Sequence, residues 1–283
     1  MTNSSDADSF QRLSIEQVVD GLRVCVATMI LEGTGTPVVF LHGFGSTKED
    51  YADVALHRLF RGRTIIAYDA PGFGESDCAN PAVLSVPLLC RIAEAVTGSL
   101  GLQRYHLVGH SMGGLTGLLL ARRMPGTVAS FINIEGNLAP PDCFISRYAC
   151  SDGHREPANL LAGLIEHVRR LPGASNALYA VGLSHKVRTR AIAPILRSIV
   201  ELTDNEDLLG QFIDLPGPKA FIYGSQNRAL PYLSALRRCG ITVAEIPESA
   251  HFPMYANPSA LWAAIGAFVA RCEQDEQITH AAR

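Results

Sequence analysis

The segment Tyr105-His106-Leu107-Val108-Gly109-His110-Ser111-Met112-Gly113-Gly114 leaves the chain little choice of local structure. A strand-like run, YHLV, meets a helix-like run, LTGLLLARRM, with only the pattern G-x-S-x-G between them. So tight a turn holds Ser111 in a strained conformation, and only small residues two before and two after it avoid a collision between strand and helix. Gly109 and Gly113 supply that room. A strand feeding a helix this directly suits a parallel sheet covered by helices. The start of the helix also aims backbone N–H groups at negative charge that develops when Ser111 attacks a carbonyl. Ser111 is therefore the candidate nucleophile, and the Met112 amide a candidate oxyanion donor.

The rest of the chain continues the alternation. Strands are expected at 38–41, 64–68, 105–109, 129–134, 219–223 and 241–246, with one or two opening antiparallel strands in 22–31. A closing helix from Pro258 to Arg271 begins with the proline that helix starts favour. The expected fold class is α/β, a mostly parallel sheet of the eight-stranded type with helices on both faces. Between Leu138 and Leu215 the strand signals disappear and the sequence turns helix-compatible, with breaks expected at Pro140-Pro141, Pro157, Pro172-Gly173 and Pro194. Strand signals resume at Lys219, so this stretch reads as an insertion. The expected organisation is a flexible tail over 1–10, a core made of 11–137 and 216–272, a helical cap insertion over 138–215 and a C-terminal tail over 273–283.

Charge and cysteine usage exclude several functions. The net charge is −3 with both signs spread along the chain, so no basic stripe offers itself to nucleic acid or to an acidic membrane. The seven cysteines are odd in number, scattered and without a CxxC pair, which fits a reducing compartment better than a disulfide framework or a zinc site. The opening MTNSSDADSFQRLS is polar and acidic, unlike a secretory signal, and no apolar run approaches the ~20 residues that a bilayer crossing needs. A cytoplasmic location without nucleic-acid or membrane partners is expected. The stretch GFGSTK at 43–48 has part of a phosphate loop but lacks the G-K-[ST] ending, which argues against ATP.

Three more motifs sit at strand ends. His42-Gly43-Phe44-Gly45 follows VVFL, Asp69-Ala70-Pro71-Gly72-Phe73-Gly74-Glu75-Ser76 follows the next strand, and Ser249-Ala250-His251-Phe252-Pro253 precedes the final helix. With the turn around Ser111, these resemble the α/β-hydrolase superfamily over nearly the whole chain. The resemblance implies that His251 is the general base, that the Phe44 amide is the second oxyanion donor, and that Asp69–Ser76 is a rigid turn. His42 is read as a structural, hydrogen-bonded histidine. Of the others, His57, His154, His167, His185 and His280 have no motif around them, His106 lies in a buried strand, and His110 is the variable residue of the turn.

The third member of such a triad must be a buried carboxylate that orients the imidazole. After the strand KAFIY the superfamily commonly shows G-x-x-D, whereas this chain has Gly224-Ser225-Gln226-Asn227, an amide that carries no charge and is expected to be dispensable. Glu135 lies at the C-terminal end of the strand through Ile134, where catalytic groups gather in open parallel sheets. It is the acid candidate, with Asp142 and Asp214 as alternatives. Its position resembles the haloalkane dehalogenase subgroup, but those enzymes use an aspartate nucleophile, so carbon–halogen displacement and epoxide hydrolysis are not expected.

With these parts the expected chemistry is acyl transfer through Ser111, cleaving a carboxylic ester or thioester of a small to medium apolar substrate without metal or organic cofactor. Acyl transfer to another acceptor, or carbon–carbon bond cleavage by a hydrolase or lyase, would reuse the same site. A non-catalytic ligand-binding protein would have less need of Ser111, His251 and Glu135 together. Specificity is expected in the insertion, where Phe144, Tyr148 and Tyr179 suggest an apolar wall. Arg147, Arg155, Lys186, Arg188 and Arg190 are candidates for meeting an acidic substrate group, or else solvated surface.

Overall fold

The computed structural model describes residues 9–150 and 156–281. Among them nine strands form one sheet: β1 Gln11–Val19, β2 Leu22–Leu31, β3 Thr34–Leu41, β4 Arg63–Tyr68, β5 Asp77–Cys78, β6 Tyr105–His110, β7 Val128–Ile134, β8 Lys219–Gly224 and β9 Thr242–Ile246. Eight run in the order β1-β2-β4-β3-β6-β7-β8-β9, and the two-residue β5 pairs with β2. Pairing is antiparallel around β2 and parallel from β4 through β9. The central strands are buried on both faces, β6 along its whole length, which is why they read as unbroken apolar runs.

The first strand was not among those expected. β1 pairs with β2 through a two-residue turn at Asp20 and Gly21, whose φ values of 50° and 77° are those of the mirror-image turn that matches sheet twist. Its sequence alternates, with Ile15 and Val19 inward. The Asp-Gly pair after an alternating segment was the available signal.

Helices α1 Val86–Ser99 and α2 Met112–Arg123 pack together, α2 also lying on β6 and β7. Helix α8, Leu233–Arg238, packs on β9, and a short helix α9, Pro253–Ala256, precedes α10, Pro258–Ala281. Trp262 on α10 is buried edge-on to Phe40, with its indole N–H donated to Asp53 Oδ2 at 3.0 Å, and Phe40 stacks on Tyr51. Helix α10 runs ten residues beyond Arg271, so residues 273–281 are helix rather than a tail. The polar composition there belongs to the outer face of the helix. Cys272 is buried, Glu273 receives Arg63 in a two-pronged pair at 2.6 and 2.7 Å, and Glu276 pairs with Arg104.

Between β7 and β8 the described residues form helices without a strand: α3 Phe144–Cys150, α4 Pro157–Arg169, α5 Ala174–Lys186, α6 Thr189–Asn205 and α7 Leu208–Ile213. Pro157 starts α4, and Pro172-Gly173 separates α4 from α5. Pro194, where a break was expected, lies inside α6, whose buried stripe of Ala191, Ile192, Ile195, Leu196 and Ile199 outweighs one missing backbone hydrogen bond. The α5–α6 junction is stitched to the loop after β4 by Gly74 N to Lys186 O at 2.8 Å and Arg188 N to Gly72 O at 2.9 Å. Among the described residues no helix is long and apolar enough to cross a membrane.

Candidate active site

The turn from β6 into α2 holds Ser111 at φ 50° and ψ −118°, a conformation that L residues rarely adopt and that surrounding structure must enforce. A side chain at Gly109 would come within 2.3 Å of Gly113 O, and one at Gly113 within 2.2 Å of Leu41 O. The strand and the helix therefore approach as closely as they do only because both positions lack a Cβ. Ser111 N is donated to Ile134 O on the neighbouring strand at 3.0 Å, which ties the turn to the strand that ends in Glu135.

Three residues distant in sequence meet at this edge. Ser111 Oγ lies 3.1 Å from His251 Nε2, and His251 Nδ1 lies 2.9 Å from Glu135 Oε2. An ionised carboxylate only accepts, so Nδ1 carries the imidazole proton and Nε2 presents its lone pair to the serine hydroxyl. His251 is 8% exposed and Glu135 6%. Asp214 is exposed at the end of α7, and Asp142 forms no hydrogen bond to His251, so neither occupies the place beside the imidazole.

Glu135 has a positive φ of 45° and receives a dense set of donors. Its Oε1 accepts from Gly224 N at 2.7 Å and from Asn227 Nδ2 at 2.9 Å, and its Oε2 accepts from Asn227 Nδ2 at 2.8 Å as well as from His251. The expectation that Asn227 is dispensable is therefore revised. The amide stands where the superfamily commonly has its acid, and from there it grips the carboxylate supplied by the adjacent strand. The register Ile134↔Ile222 brings the two strand ends side by side, a proximity that composition does not reveal.

The loop after β3 brings Phe44 beside Ser111 in the same pocket. Phe44 N donates to no acceptor among the described residues, and Met112 N is the first amide of α2, which has no partner within its own helix. The Phe44 carbonyl is held from the insertion by the Tyr179 hydroxyl at 2.7 Å, with Tyr179 stacked on Phe252 at 4.2 Å. Tyr179 had been expected only as an apolar wall. Its hydroxyl is what fixes this loop.

Burial disfavours the protonated form of two histidines beside the site, His42 and His110. His42 Nδ1 donates to Gly43 O at 2.7 Å while its Nε2 accepts from Ala70 N at 2.8 Å. Burial lowers its affinity for a proton, with Asp69 working in the other direction. His110 donates Nε2–H to the His251 backbone carbonyl at 2.7 Å, and burial, followed by the neighbouring His251, holds its pKa well below the ordinary value. The variable residue of the turn is thus a brace for the loop that carries His251. None of the other described histidine side chains bonds to Ser111. His154 and Arg155 lie outside the described residues.

The Asp69–Ser76 loop is organised around a buried ion cluster. Asp69 accepts from Lys48 N, Lys48 Nζ and Glu75 N at 2.8–2.9 Å, and Lys48 Nζ also meets Glu75 at 2.7 Å and Glu49 at 2.9 Å. Burial pulls the Lys48 pKa down, yet these carboxylates overcome it and raise the net value. The pocket in front of Ser111 leaves only about 10 Å³ of open space, room for one water. Phe144 from α3 stands edge-on to the His251 ring at 5.1 Å. Among the described residues no group of three or more His, Cys, Asp or Glu side chains is placed to hold a metal ion.

Residues 38–265 match the model of the alpha/beta hydrolase family. The chain is similar to a 2-hydroxy-6-oxononadienedioate/2-hydroxy-6-oxononatrienedioate hydrolase of Burkholderia vietnamiensis, 33% identical over 119 residues that cover 40% of this chain and 41% of that protein. It is also similar to an sn-1-specific diacylglycerol lipase of Mus musculus, 26% identical over 85% of this chain and 84% of the relative. The foremost curated relatives are matched over less than half of their own length, 41–46%. A thermophilic esterase from Thermogutta terrifontis has the same fold, with a TM-score of 0.73 at 23% identity over 93% of this chain and 99% of that one. Since the matched span runs from β3 to α10 and takes in every residue brought together above, the chain belongs to the alpha/beta hydrolase family.

Proposed function

We propose that this hydrolase cleaves a carboxylic ester or thioester of a small to medium apolar substrate through an acyl-enzyme on Ser111. The observation that carries the reading is the relay Ser111–His251–Glu135, with hydrogen bonds of 3.1 and 2.9 Å, placed at the start of α2. Ser111 Oγ attacks the carbonyl carbon as its proton passes to His251 Nε2, and Glu135 stabilises the imidazolium that forms. The Phe44 and Met112 amides receive the oxyanion, where each well-placed donor is worth about 3 kcal/mol. The imidazolium then gives its proton to the departing alcohol or thiol. Water, activated by the same Nε2, attacks the acyl-enzyme and regenerates Ser111.

In this reading residues 138–215 act as a cap. The narrowness of the pocket supports it, since substrate enters only when helices of the insertion move away from Ser111. Carbon–carbon bond hydrolysis is the second reading, favoured by the likeness to the Burkholderia enzyme, and it would use the same three residues. Short p-nitrophenyl esters and their thioester analogues test the proposal. The wild-type protein is expected to turn over at least one series, and Ser111→Ala to lose at least ~10³-fold in kcat while still folded. Undiminished turnover by Ser111→Ala would remove the serine from the mechanism.

A further inference from the structure

Resting on the acyl-enzyme reading, we propose that Asp142 makes the site selective by charge: a carboxylate in the pocket wall, matched by no cation among the described residues, rejects esters that carry negative charge and admits neutral or cationic ones. Asp142 lines the same pocket as Ser111, Phe44 and His251. Its Oδ2 accepts from Leu138 N at 2.8 Å and Ala139 N at 2.9 Å, and its Oδ1 accepts from the Tyr232 hydroxyl at 3.0 Å. All three partners donate, an arrangement suited to the ionised carboxylate.

The charges around it do not cancel it. Among the described residues no Lys or Arg lines the pocket. Arg147 is committed to Asp204 at 2.7 and 2.9 Å, Lys186 to Asp50 at 2.7 and 2.9 Å, and Arg188 donates to Gly74 O at 3.3 Å. Among the described residues the titratable groups that face Asp142 are Tyr232, Cys143 and His251, with Glu135 behind Tyr232. Glu135 and Asp142 are two carboxylates at this end of the sheet, and their hydrogen-bond partners among the described residues are backbone amides, the Asn227 amide, the Tyr232 hydroxyl and the His251 ring. Once the imidazolium forms it cancels only one of the two carboxylates. Burial pushes the Asp142 carboxyl above its ordinary range, with Leu138, Ala139 and Tyr232 opposing the rise, as an anion without a counter-charge would show.

A substrate carboxylate in this pocket would add like charge where little water remains to screen it. If Asp142 served only to hold the Leu138–Ala139 turn, substrate charge would be a matter of indifference. The test uses three p-nitrophenyl esters with acyl chains of equal length that end in isopropyl, carboxylate or ammonium. For the wild-type protein, kcat/KM for the carboxylate-ended ester is expected at least ~30-fold below the isopropyl-ended one, with the ammonium-ended ester within about threefold of it. Asp142→Asn keeps an acceptor for the two backbone amides, and it should bring the carboxylate-ended ester to within about threefold of the neutral one. Equal handling of all three esters by the wild type would overturn the inference, as would equal rejection of both charged chains, which is the behaviour of any apolar pocket. A folded Asp142→Asn variant with an unchanged ratio would overturn it too. Should the variant fail to fold, the three wild-type rates decide the matter. No turnover of the neutral ester would instead remove the ester-hydrolase reading and this inference with it.

Discussion

Two buried carboxylates lie near the same end of the sheet, and they differ in what surrounds them: one meets a buried cation, the other neutral donors and an imidazole ring. Asp69 is fully buried against Lys48, itself 1% exposed, at 2.8 Å, so its charge faces a fixed cation. Glu135 is nearly as buried, but its fixed donors are a backbone amide and the Asn227 side chain, both neutral. Hydrogen bonds hold Glu135 in place without cancelling its charge. In the proposed mechanism that charge is matched when His251 takes a proton, at the step where charge separation is otherwise most costly.

Glu135→Gln is the most severe way to break the comparison. It keeps the shape and removes the charge, and kcat is expected to fall by ~10⁴-fold with little change in thermal stability. A variant retaining a tenth of the wild-type rate would make Glu135 no different in kind from its neutral surroundings. Lys48→Met should do the reverse. Stranding Asp69 as an uncompensated buried charge is expected to cost ~3–5 kcal/mol of stability, measured by urea unfolding, while the molecules that remain folded keep their kcat. Asn227→Ala sharpens the contrast from the other side. Removing the amide takes away donors worth ~1.5–3 kcal/mol to a charged acceptor and should lower kcat by ~10–100-fold without a change in KM. Full activity would mean that Gly224 and His251 are enough to hold Glu135.

Legibility in the sequence follows the distance over which each feature is determined. The turn around Ser111 was readable because strand, glycines, serine and helix are contiguous, and steric exclusion at Gly109 acts within a few residues. His251 was placed by a local motif before the last helix. Glu135 was reached through the end of its strand. What holds Glu135 was not, because Asn227 approaches it only through the pairing of β7 with β8. Tyr179 was missed as the clamp on Phe44 for the same reason, its partner lying 135 residues away in sequence. In the fold, β1 and the last ten residues of α10 were overlooked because half their residues face water. Their polar composition reads as loop unless the Asp20-Gly21 turn and the pairs with Arg63 and Arg104 are known.

The proposed mechanism stands on Ser111, poised by His251 and Glu135, as the nucleophile. Treatment of the folded protein with a fluorophosphonate, followed by intact mass and peptide mapping, tests it most directly. A single adduct on Ser111 is expected, absent from Ser111→Ala and strongly slowed in His251→Ala. An adduct elsewhere, or ester turnover by a protein whose Ser111 stays unmodified, would contradict it.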